Sequence, residues 1–268
     1  MADISSSQLE TLMHELCNAA ARETMPRFRV GTDITNKEKD GFDPVTEGDR
    51  EAEKAIRAIL TKRVPEHGII GEEFGRSNED AEFQWIIDPI DGTRAFISGL
   101  PVWGTLIGLY RNGMPFAGTM DQPFTRERFM AVPDEAENLT AKLSIDGSES
   151  RKLQTRKTEH LADATIMTTS PDPFAPEEKP RFRHLESLTK LPRYGCDCYA
   201  YAMVAAGQVD IVVESGLNVY DIAALIPVIE GAGGVVSDWN GNDASQGGQI
   251  LACANRDLQE QALEALRG

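Results

Sequence analysis

Apolar residues follow a helical period in two stretches of the first third of the chain. Over residues 5–28 they recur every three or four positions, which predicts an amphipathic helix. A second stretch follows Thr46, keeps the apolar residues of 52–60 on one face, and is expected to end before Pro65. The polar residues 31–43 between the two stretches predict a loop.

Short apolar runs bounded by turn residues predict buried strands further along the chain. Two such runs stand at residues 69–70 and 85–87. A β-meander is predicted from Val102 to Val132, with strands at residues 104–110, 115–121 and 128–132. Later strands are predicted at residues 164–169, 210–214, 235–237 and 250–254, and later helices at residues 198–206, 221–231 and 256–267. This irregular alternation predicts a layered α+β fold.

Three segments do not fit a simple strand or helix. Pro227 lies inside the helix predicted at 221–231, where it should remove a backbone hydrogen bond or kink the helix. Residues 133–160 are polar, with a short hairpin expected at Asp146-Gly147. Residues 171–180 are rich in proline and acids, and an exposed loop is expected there.

Length and composition are those of a globular protein. The 268 residues suffice for one large domain or two small ones. We expect one unit, residues 1–268, with subdomains 1–140 and 141–268 and the weakest boundary near residues 133–160. The hydrophobic fraction is 41%, but no apolar run approaches the ~20 residues needed to cross a bilayer.

The charge balance argues against two classes of partner. With 27 basic and 43 acidic residues the net charge is -16, so binding to nucleic acid or to an anionic membrane surface is not expected. A phosphorylated substrate would need bound cations to overcome this field. The chain begins without the pattern of a secretory signal, and its four cysteines lack disulfide or zinc-site spacing. We therefore expect a cytoplasmic protein with reduced thiols.

Acidic residues follow three of the predicted strands. They are Glu72 and Glu73 in the first segment, Asp88 and Asp91 in the second, and Asp221 in the third. Because the ends of neighbouring strands line one crevice, these carboxylates can converge. Converging like charges take up protons or hold cations, and oxygen ligands select Mg²⁺, Mn²⁺ or Ca²⁺ over zinc. Two such ions about 4 Å apart suit the hydrolysis of a phosphate monoester.

Neighbouring residues add to this hypothesis. A helix beginning at Gly92-Thr93 would present backbone N–H groups to an anion. The Thr93 hydroxyl could orient the attacking water, with Asp49 as its proton acceptor. Each residue also has an ordinary structural interpretation. The alternatives are surface acids at Glu72 and Glu73, a turn at Asp88-Pro89, a hairpin turn at Asp91-Gly92, a helix N-cap at Asp221, and a capping box at Thr46 and Asp49.

The joint pattern resembles the inositol monophosphatase family of metal-dependent, lithium-sensitive phosphatases. The matching motifs are Gly71-Glu72-Glu73, Asp88-Pro89-Ile90-Asp91-Gly92-Thr93 and Tyr220-Asp221-Ile222-Ala223, with residues 43–49 and 230–234 in addition. They stand in the family's order over nearly the whole chain. The resemblance implies a layered α/β/α/β/α sandwich, usually a homodimer, that uses two or three Mg²⁺ ions. It also implies that Mn²⁺ can substitute and that Li⁺ inhibits.

The resemblance implies roles for individual residues. The metal ligands would be Glu72, Asp88, the Ile90 carbonyl, Asp91 and Asp221, with Asp49 and Glu73 helping to hold a third, weaker ion. Asp88 would bridge two ions. Asp49, Thr93 and Glu72 would form the catalytic set, and Gly92 and Thr93 would offer backbone donors to the phosphate.

Other segments are similar to the bacterial histidinol-phosphate phosphatases of this fold. They are residues 98–104, Gly195-Cys196-Asp197-Cys198-Tyr199 and residues 220–227, which would make Pro227 a feature of that branch. The chain departs from the common family pattern at Tyr220, where Trp is usual, and at Arg94. L-Histidinol phosphate carries an ammonium and an imidazole, and a pocket for an ammonium should offer carboxylates.

Five residues are therefore expected to recognise this substrate. They are Asp197 and Glu214 for the ammonium, Asn218 for the imidazole, Arg94 for the phosphate, and Gly195 in the wall of the crevice. Asp197 could instead cap the next helix, and Arg94 could pair with a surface acid.

The predicted function is Mg²⁺-dependent hydrolysis of L-histidinol phosphate to L-histidinol and phosphate, a step of histidine biosynthesis. The alternatives within the family are hydrolysis of inositol-1-phosphate and, after it, of sugar bisphosphates or 3′-phosphonucleotides. The alternative from another class is a non-enzymatic cation-binding protein.

Overall fold

Two large β-sheets and three layers of helices alternate in the computed structural model, which describes residues 4–30, 34–36 and 44–267. A small third sheet consists of two antiparallel strands at Ile34–Asn36 and Pro44–Thr46. The helices are α1 (Ser6–Thr24), α2 (Glu47–Arg63), α3 (Thr93–Ile97), α4 (Glu178–Ser187), α5 (Asp197–Ala205), α6 (Val219–Ile222), α7 (Leu225–Glu230) and α8 (Arg256–Arg267). The strands of the first half are β1 (Ile34–Asn36), β2 (Pro44–Thr46), β3 (Gly68–Gly71), β4 (Gly75–Ser77), β5 (Phe83–Asp91), β6 (Gly104–Arg111), β7 (Met114–Gln122), β8 (Glu127–Pro133), β9 (Leu139–Ile145) and β10 (Arg151–Lys152). The remaining strands are β11 (Thr165–Thr168), β12 (Leu191–Tyr194), β13 (Ile211–Leu217), β14 (Val235–Ser237) and β15 (Gly248–Cys253).

The first sheet has eight strands in the order β10-β9-β8-β7-β6-β5-β3-β4. Its strands pair antiparallel except that β3 runs parallel to β5. Successive side chains of a strand point to opposite faces of the sheet. Trp85 and Ile87 of β5 therefore pack with α1 and α2 on one face, whereas Ile86 packs with Ala223 on the other.

The helices α1 and α2 confirm the periodicity of the sequence. Both begin with a capping box, formed by Ser5 and Gln8 in α1 and by Thr46 and Asp49 in α2. The predicted extension of α1 to residue 28 is wrong, because α1 ends at Thr24 and a 3₁₀ turn that contains proline follows. Most of the loop predicted at residues 31–43 lies outside the described residues.

The second sheet has five strands in the order β12-β11-β13-β15-β14. Residues of α5 and α7 fill the space between the two sheets, and α4 and α8 cover the outer face of the second sheet. The layer order is thus helix, sheet, helix, sheet, helix, and the α/β/α/β/α sandwich is confirmed. None of the described helices has the length and apolarity to cross a bilayer. The division into subdomains at residue 140 stays a prediction.

The helix predicted at 221–231 is two short helices, α6 and α7, separated at Ala223-Ala224. Pro227 lies in the first turn of α7 and has no N–H to donate to the carbonyl of Ala223, four residues earlier, so the predicted loss of a backbone hydrogen bond falls at the break between the two helices. The break packs directly on the first sheet. A Cβ on Gly118 would lie 2.1 Å from the Ala224 carbonyl oxygen, so the close approach requires glycine.

Several described elements were not predicted from the sequence. They are α4, the edge strands β4 and β12, and the short strands β1 and β2. The helix considered at Gly92-Thr93 is present as α3. The loop expected at 171–180 ends where α4 begins at Glu178. The meander and the hairpin of β9 and β10 are as predicted, and the four cysteines are free thiols.

Candidate active site

The carboxyl end of β5 contains a bulge that directs the side chains of Asp88 and Asp91 to the same face of the sheet. The pairing of β5 with β6 shifts between Asp88 and Asp91, and such an insertion bends a strand and redirects its side chains. The Thr105 hydroxyl holds the irregular segment by donating to the Pro89 carbonyl at 2.8 Å. In a regular strand, residues three apart would point to opposite faces. Asp88-Pro89 is therefore part of a bulged strand, and the plain-turn alternative is wrong.

Acids from three segments meet at this end of β5. Carboxylate oxygens of Asp88, Asp91 and Asp221 lie within 4.8 Å of one another. Glu72 lies close enough to Asp88 for its charge to raise the pKa of the Asp88 carboxyl. Backbone N–H groups hold three of the acids. These bonds run from Ile90 to Asp88 at 3.0 Å, from Cys198 to Asp91 at 2.7 Å and from Asn218 to Asp221 at 2.6 Å.

The surroundings of this cluster raise the pKa values of its members. Burial, together with Glu72, Asp91 and Asp221, holds the pKa of Asp88 well above its usual range. Removal from water, followed by the charges of Asp197 and Asp221, also raises the pKa of Asp91. A divalent cation would offset this repulsion, and a set of carboxylate oxygens matches the ligands that Mg²⁺, Mn²⁺ and Ca²⁺ prefer. The donor set therefore fits the expected cation.

A buried acid of α2 holds the turn that carries Glu72. The Glu53 carboxylate accepts hydrogen bonds from the Glu73 N–H at 2.8 Å and from the Phe74 N–H at 3.2 Å. It also pairs with Arg57 at 2.7 Å. A Cβ on Gly71 would lie 1.9 Å from a Glu53 oxygen, so this contact needs glycine.

The sequence reasoning missed Glu53, although a signal was present. The residue lies on the face of α2 that also buries Ala52 and Ile56, and it is fully buried itself. An acid on the apolar face of a helix is rarely buried without a partner. That mismatch could have identified it.

Asp49 and Thr93 do not contact each other directly in the described structure. The Asp49 carboxylate accepts the Thr46 N–H at 2.8 Å and the Thr46 hydroxyl at 2.5 Å, so the capping-box alternative is confirmed. The Thr93 hydroxyl instead donates to the Ile90 carbonyl at 3.1 Å. Burial raises the pKa of Asp49 to about 7, and the charges of Glu72 and Glu73 contribute to the rise. The pairing of Asp49 with Thr93 stays a prediction.

A cavity of about 550 Å³ opens beside the acid cluster. The site residues predicted from the sequence that line it are Glu72, Asp91, Gly92, Thr93, Arg94, Asp197, Glu214, Asn218 and Asp221. The other predicted residues, which are not among its described lining, are Asp49, Glu73, Asp88, Ile90 and Gly195. The role of Gly195 in substrate binding stays a prediction. Its N–H turns away to the Thr168 and Thr169 carbonyls, at 3.2 and 3.0 Å.

Two more carboxylates face the cavity outside the acid cluster. Asp197 is the first residue of α5, and Cys196 occupies the N-cap position in front of it. The helix-cap alternative for Asp197 is therefore wrong. Burial raises the pKa of Asp197 to about 6, and Arg94 opposes the rise. Burial also raises the pKa of Glu214 to about 7, against hydrogen bonds from Thr169 and Thr168.

The local backbone also decides how Asp221 and Asp91-Gly92 are interpreted. Asp221 is the third residue of α6, and Asn218 stands at its N-cap, so the N-cap interpretation of Asp221 is wrong. Asp91-Gly92 leads into α3 and not into a hairpin. Gly92 has φ of +80°, and a Cβ there would lie 3.0 Å from the Asp197 side chain. Glycine at this position therefore brings β5 and α5 together at the cavity.

Comparisons with known proteins agree with this geometry. The sequence model of the Inositol monophosphatase family matches residues 5–268. A chloroplastic bifunctional phosphatase, IMPL2, of Arabidopsis thaliana is 38% identical over 99% of this chain and 77% of its own length. A histidinol-phosphatase of Mycobacterium tuberculosis is 35% identical over 96% of this chain and 98% of its own. The solved structure of an inositol monophosphatase from Zymomonas mobilis is 38% identical and has a TM-score of 0.82, covering 96% of this chain and 97% of that one.

Proposed function

Since this chain belongs to the inositol monophosphatase family, we propose that it is a Mg²⁺-dependent phosphatase that hydrolyses L-histidinol phosphate to L-histidinol and phosphate. Membership in the family makes it a phosphoric monoester hydrolase with a metal requirement. The choice of Mg²⁺ and of this ester is the proposal. The observation that carries it is the pair of carboxylates, Asp197 and Glu214, that face the cavity beside the acid cluster.

In this proposal each acid of the cluster has a binding task. Glu72, Asp88, Asp91 and Asp221 would hold the cations, with the Ile90 carbonyl as a further ligand. When bound, Mg²⁺ supplies positive charge for the phosphate and Lewis acidity toward water and the phosphoryl group. The backbone at Gly92 and Thr93 would position the phosphate.

Asp49 would accept a proton in the same site. Its pKa of about 7 suits a general base near neutral pH, and Thr93 would orient the water from which the proton comes. This role requires the Thr93 hydroxyl to leave the Ile90 carbonyl, which it contacts at 3.1 Å. Rotation of one side-chain torsion is enough for that change.

The charges of the cavity favour an ammonium-bearing ester. Asp197 and Glu214 repel each other, and burial raises the pKa of both carboxylates. An ammonium between them would stabilise both ionised forms through charge-assisted hydrogen bonds. A neutral polyol would bring no cation to these two acids, and only the charge of Arg94 would offset that of Asp197. Histidinol phosphate carries the ammonium on the carbon next to its phosphate ester arm, and inositol-1-phosphate carries none.

Inositol-1-phosphate is the second candidate substrate, because a protein called an inositol monophosphatase is as similar to this chain as the Arabidopsis phosphatase. The free cysteines support our proposal of a cytoplasmic protein, since a reducing compartment keeps thiols unpaired.

A phosphate-release assay over a panel of monoesters tests the proposal. The panel holds L-histidinol phosphate, inositol-1-phosphate, a sugar bisphosphate and a 3′-phosphonucleotide, each with Mg²⁺ and with EDTA. We expect kcat/KM to be at least about 100-fold higher for L-histidinol phosphate than for inositol-1-phosphate, because an unpaired buried acid costs about 2–3 kcal/mol. EDTA should abolish phosphate release.

A matched variant connects the result with the carboxylates. Asp197→Asn should raise KM for L-histidinol phosphate and leave KM for inositol-1-phosphate unchanged. A higher kcat/KM for inositol-1-phosphate than for L-histidinol phosphate would contradict the proposed substrate and support inositol-1-phosphate instead. Absence of release from every ester in Mg²⁺ would favour a non-enzymatic cation-binding protein.

A further inference from the structure

The hydroxyl of Tyr201 is a buried polar group that no described residue satisfies. Tyr201 lies on α5, one turn after Asp197, and therefore on the same face of the helix. Tyr201 is among the residues that line the cavity, and it is only 3% exposed. The hydroxyl oxygen is buried and has no hydrogen-bond partner among the described residues. Most buried side-chain polar atoms in proteins have a hydrogen-bond partner, so we expect this hydroxyl to bond to a group that enters the cavity.

The surroundings of this phenol define its role. Burial, and then the charges of Glu214, Asp91 and Asp221, keep the pKa of Tyr201 well above its usual range. The phenol therefore stays protonated and has a hydrogen to donate. Charged carboxylates around the cavity draw in cationic groups, but a cationic group such as an ammonium offers no acceptor to an O–H donor.

We propose that the Tyr201 hydroxyl donates a hydrogen bond to the imidazole ring of L-histidinol phosphate and so makes Tyr201 a specificity-determining residue. This inference rests on the proposed function. The phosphate of the ester is expected at the acid cluster, and its ammonium at Asp197 and Glu214. The unprotonated nitrogen of the neutral imidazole is then the acceptor that remains for the hydroxyl. Asn218, which also lines the cavity, can accept from the other ring nitrogen.

The test compares two esters and two alcohols that differ in the ring. L-Histidinol phosphate has the imidazole, and L-alaninol phosphate keeps the ammonium and the phosphate but lacks it. Tyr201→Phe should raise KM for L-histidinol phosphate about tenfold, the effect of losing one hydrogen bond, with kcat within about twofold of wild type. KM for L-alaninol phosphate should not change. Calorimetry with L-histidinol and L-alaninol should show the same pattern in the dissociation constants.

Tyr199→Phe is the matched control. Tyr199 lies on the same helix, and its hydroxyl donates to Glu127 at 2.6 Å, outside the described lining of the cavity. Its loss should leave both KM values unchanged. The melting temperature of Tyr201→Phe should equal or exceed that of wild type, because the hydroxyl has no described partner to lose.

Two results would overturn the inference. An equal rise of KM for both esters would place the hydroxyl on the phosphate or the ammonium, and no change for either ester would remove it from substrate binding.

Should Tyr201→Phe fail to fold, wild-type affinities for L-histidinol and L-phenylalaninol decide, since the phenyl ring has no acceptor. If wild type does not hydrolyse L-histidinol phosphate, the proposed function fails as well. If wild type does so and Tyr201→Phe behaves like wild type, this inference alone fails.

Discussion

Asp88 accepts a hydrogen bond from the Ile90 N–H and is surrounded by Glu72, Asp91 and Asp221. The chain thus holds like charges together at a cost that binding a cation would offset. The same arrangement recurs more weakly at Asp197 and Glu214, whose pKa values are also raised. At the scale of single residues, functional groups are therefore expected where the fold holds acidic side chains close together and raises their pKa values.

The first prediction separates the function of Asp88 from its effect on stability. Asp88→Asn removes one buried charge and keeps an oxygen that can accept the Ile90 N–H. Phosphate release in Mg²⁺ should fall by several orders of magnitude, because a metal ligand is lost. In EDTA the melting temperature should rise, since repulsion within the cluster decreases. Turnover close to wild type in Mg²⁺ would contradict the role of Asp88.

The second prediction concerns the acid that holds the Glu72 turn. Glu53→Ala leaves two backbone N–H groups and Arg57 without their carboxylate. The free energy of unfolding should fall by about 3 kcal/mol, and the Mg²⁺ concentration for half-maximal activity should rise. Glu51→Ala, at an exposed acid that pairs with Lys54 on the same helix, is the control and should change neither quantity measurably. An unchanged Mg²⁺ requirement in Glu53→Ala would show that the turn does not depend on this contact.

The third prediction is a pH dependence of stability in EDTA. Burial raises the pKa of Glu214 from 4.5 to about 7, so the folded state binds this proton more tightly than the unfolded state does. Stability from this group is present below pH about 4.5 and is lost as pH rises to about 7. The free energy of unfolding, measured by chemical denaturation between pH about 4.5 and about 7, should therefore vary less with pH in Glu214→Gln than in wild type. At pH about 8 the gain over wild type should be at most about 3 kcal/mol. A steeper dependence in the variant would contradict the raised pKa.

At the scale of elements, a strong periodicity of apolar residues was enough to predict a helix or strand from the sequence, and a weak one was not. The apolar faces of α1 and α2 and the alternation in the meander predicted those elements from the sequence. For two of the unpredicted elements, α4 and β12, the physical reason is clear. In α4 the buried apolar residues are only Phe182 and Leu185, and β12 is an exposed edge strand that contains a proline. Neither pattern distinguishes these segments from a loop.

Site residues that act through contacts between elements also escaped prediction. Glu72 after β3 and the acids at the end of β5 could be grouped in advance, because the carboxyl ends of neighbouring parallel strands meet at one edge of a sheet. The role of Glu53 depends on α2 packing against the turn after β3, and the role proposed for Tyr201 depends on which face of α5 meets the cavity. Hydrophobic periodicity does not specify either contact. The direct Asp49–Thr93 contact was expected from the sequence, yet each residue bonds to another group.

The fourth prediction tests the close packing of the break between α6 and α7 on the first sheet. A Cβ on Gly118 would lie 2.1 Å from the Ala224 carbonyl oxygen, so Gly118→Ala must displace backbone. The free energy of unfolding should fall by about 3 kcal/mol or more, and activity should fall as well because Asp221 lies on α6. Gly113→Ala is the control, since it meets only open space at a φ of +79°. The control should cost about 1–2 kcal/mol. Equal losses in chemical denaturation would contradict the packing argument.

At the scale of the whole molecule, the five layers bring both sheets to one cavity. The first sheet supplies Asp91 to its lining, with Asp88 beside it in the acid cluster, and the second sheet supplies Glu214. The net charge of -16 repels a phosphate ester over the rest of the surface. Cations at the acid cluster would reverse that field locally, which is why the cofactor is central to the proposal.

The fifth prediction concerns the homodimer, which we propose on the family resemblance and on one exposed edge. The strand β12 ends the second sheet, and Leu188, Leu191 and Tyr194 are exposed there. Open sheet edges with apolar side chains favour association. Light scattering should give twice the mass of 29.4 kDa for wild type, and Leu191→Arg should give the monomer mass. A monomeric wild type would contradict the proposal.

Anomalous X-ray diffraction from crystals soaked in Mn²⁺ tests the central claim most directly, because Mn²⁺ scatters anomalously and prefers the same oxygen ligands as Mg²⁺. The prediction is a strong anomalous peak among the carboxylates of Glu72, Asp88, Asp91 and Asp221, and no such peak there in Asp88→Asn. Peaks elsewhere on the chain with none among these four acids would contradict it.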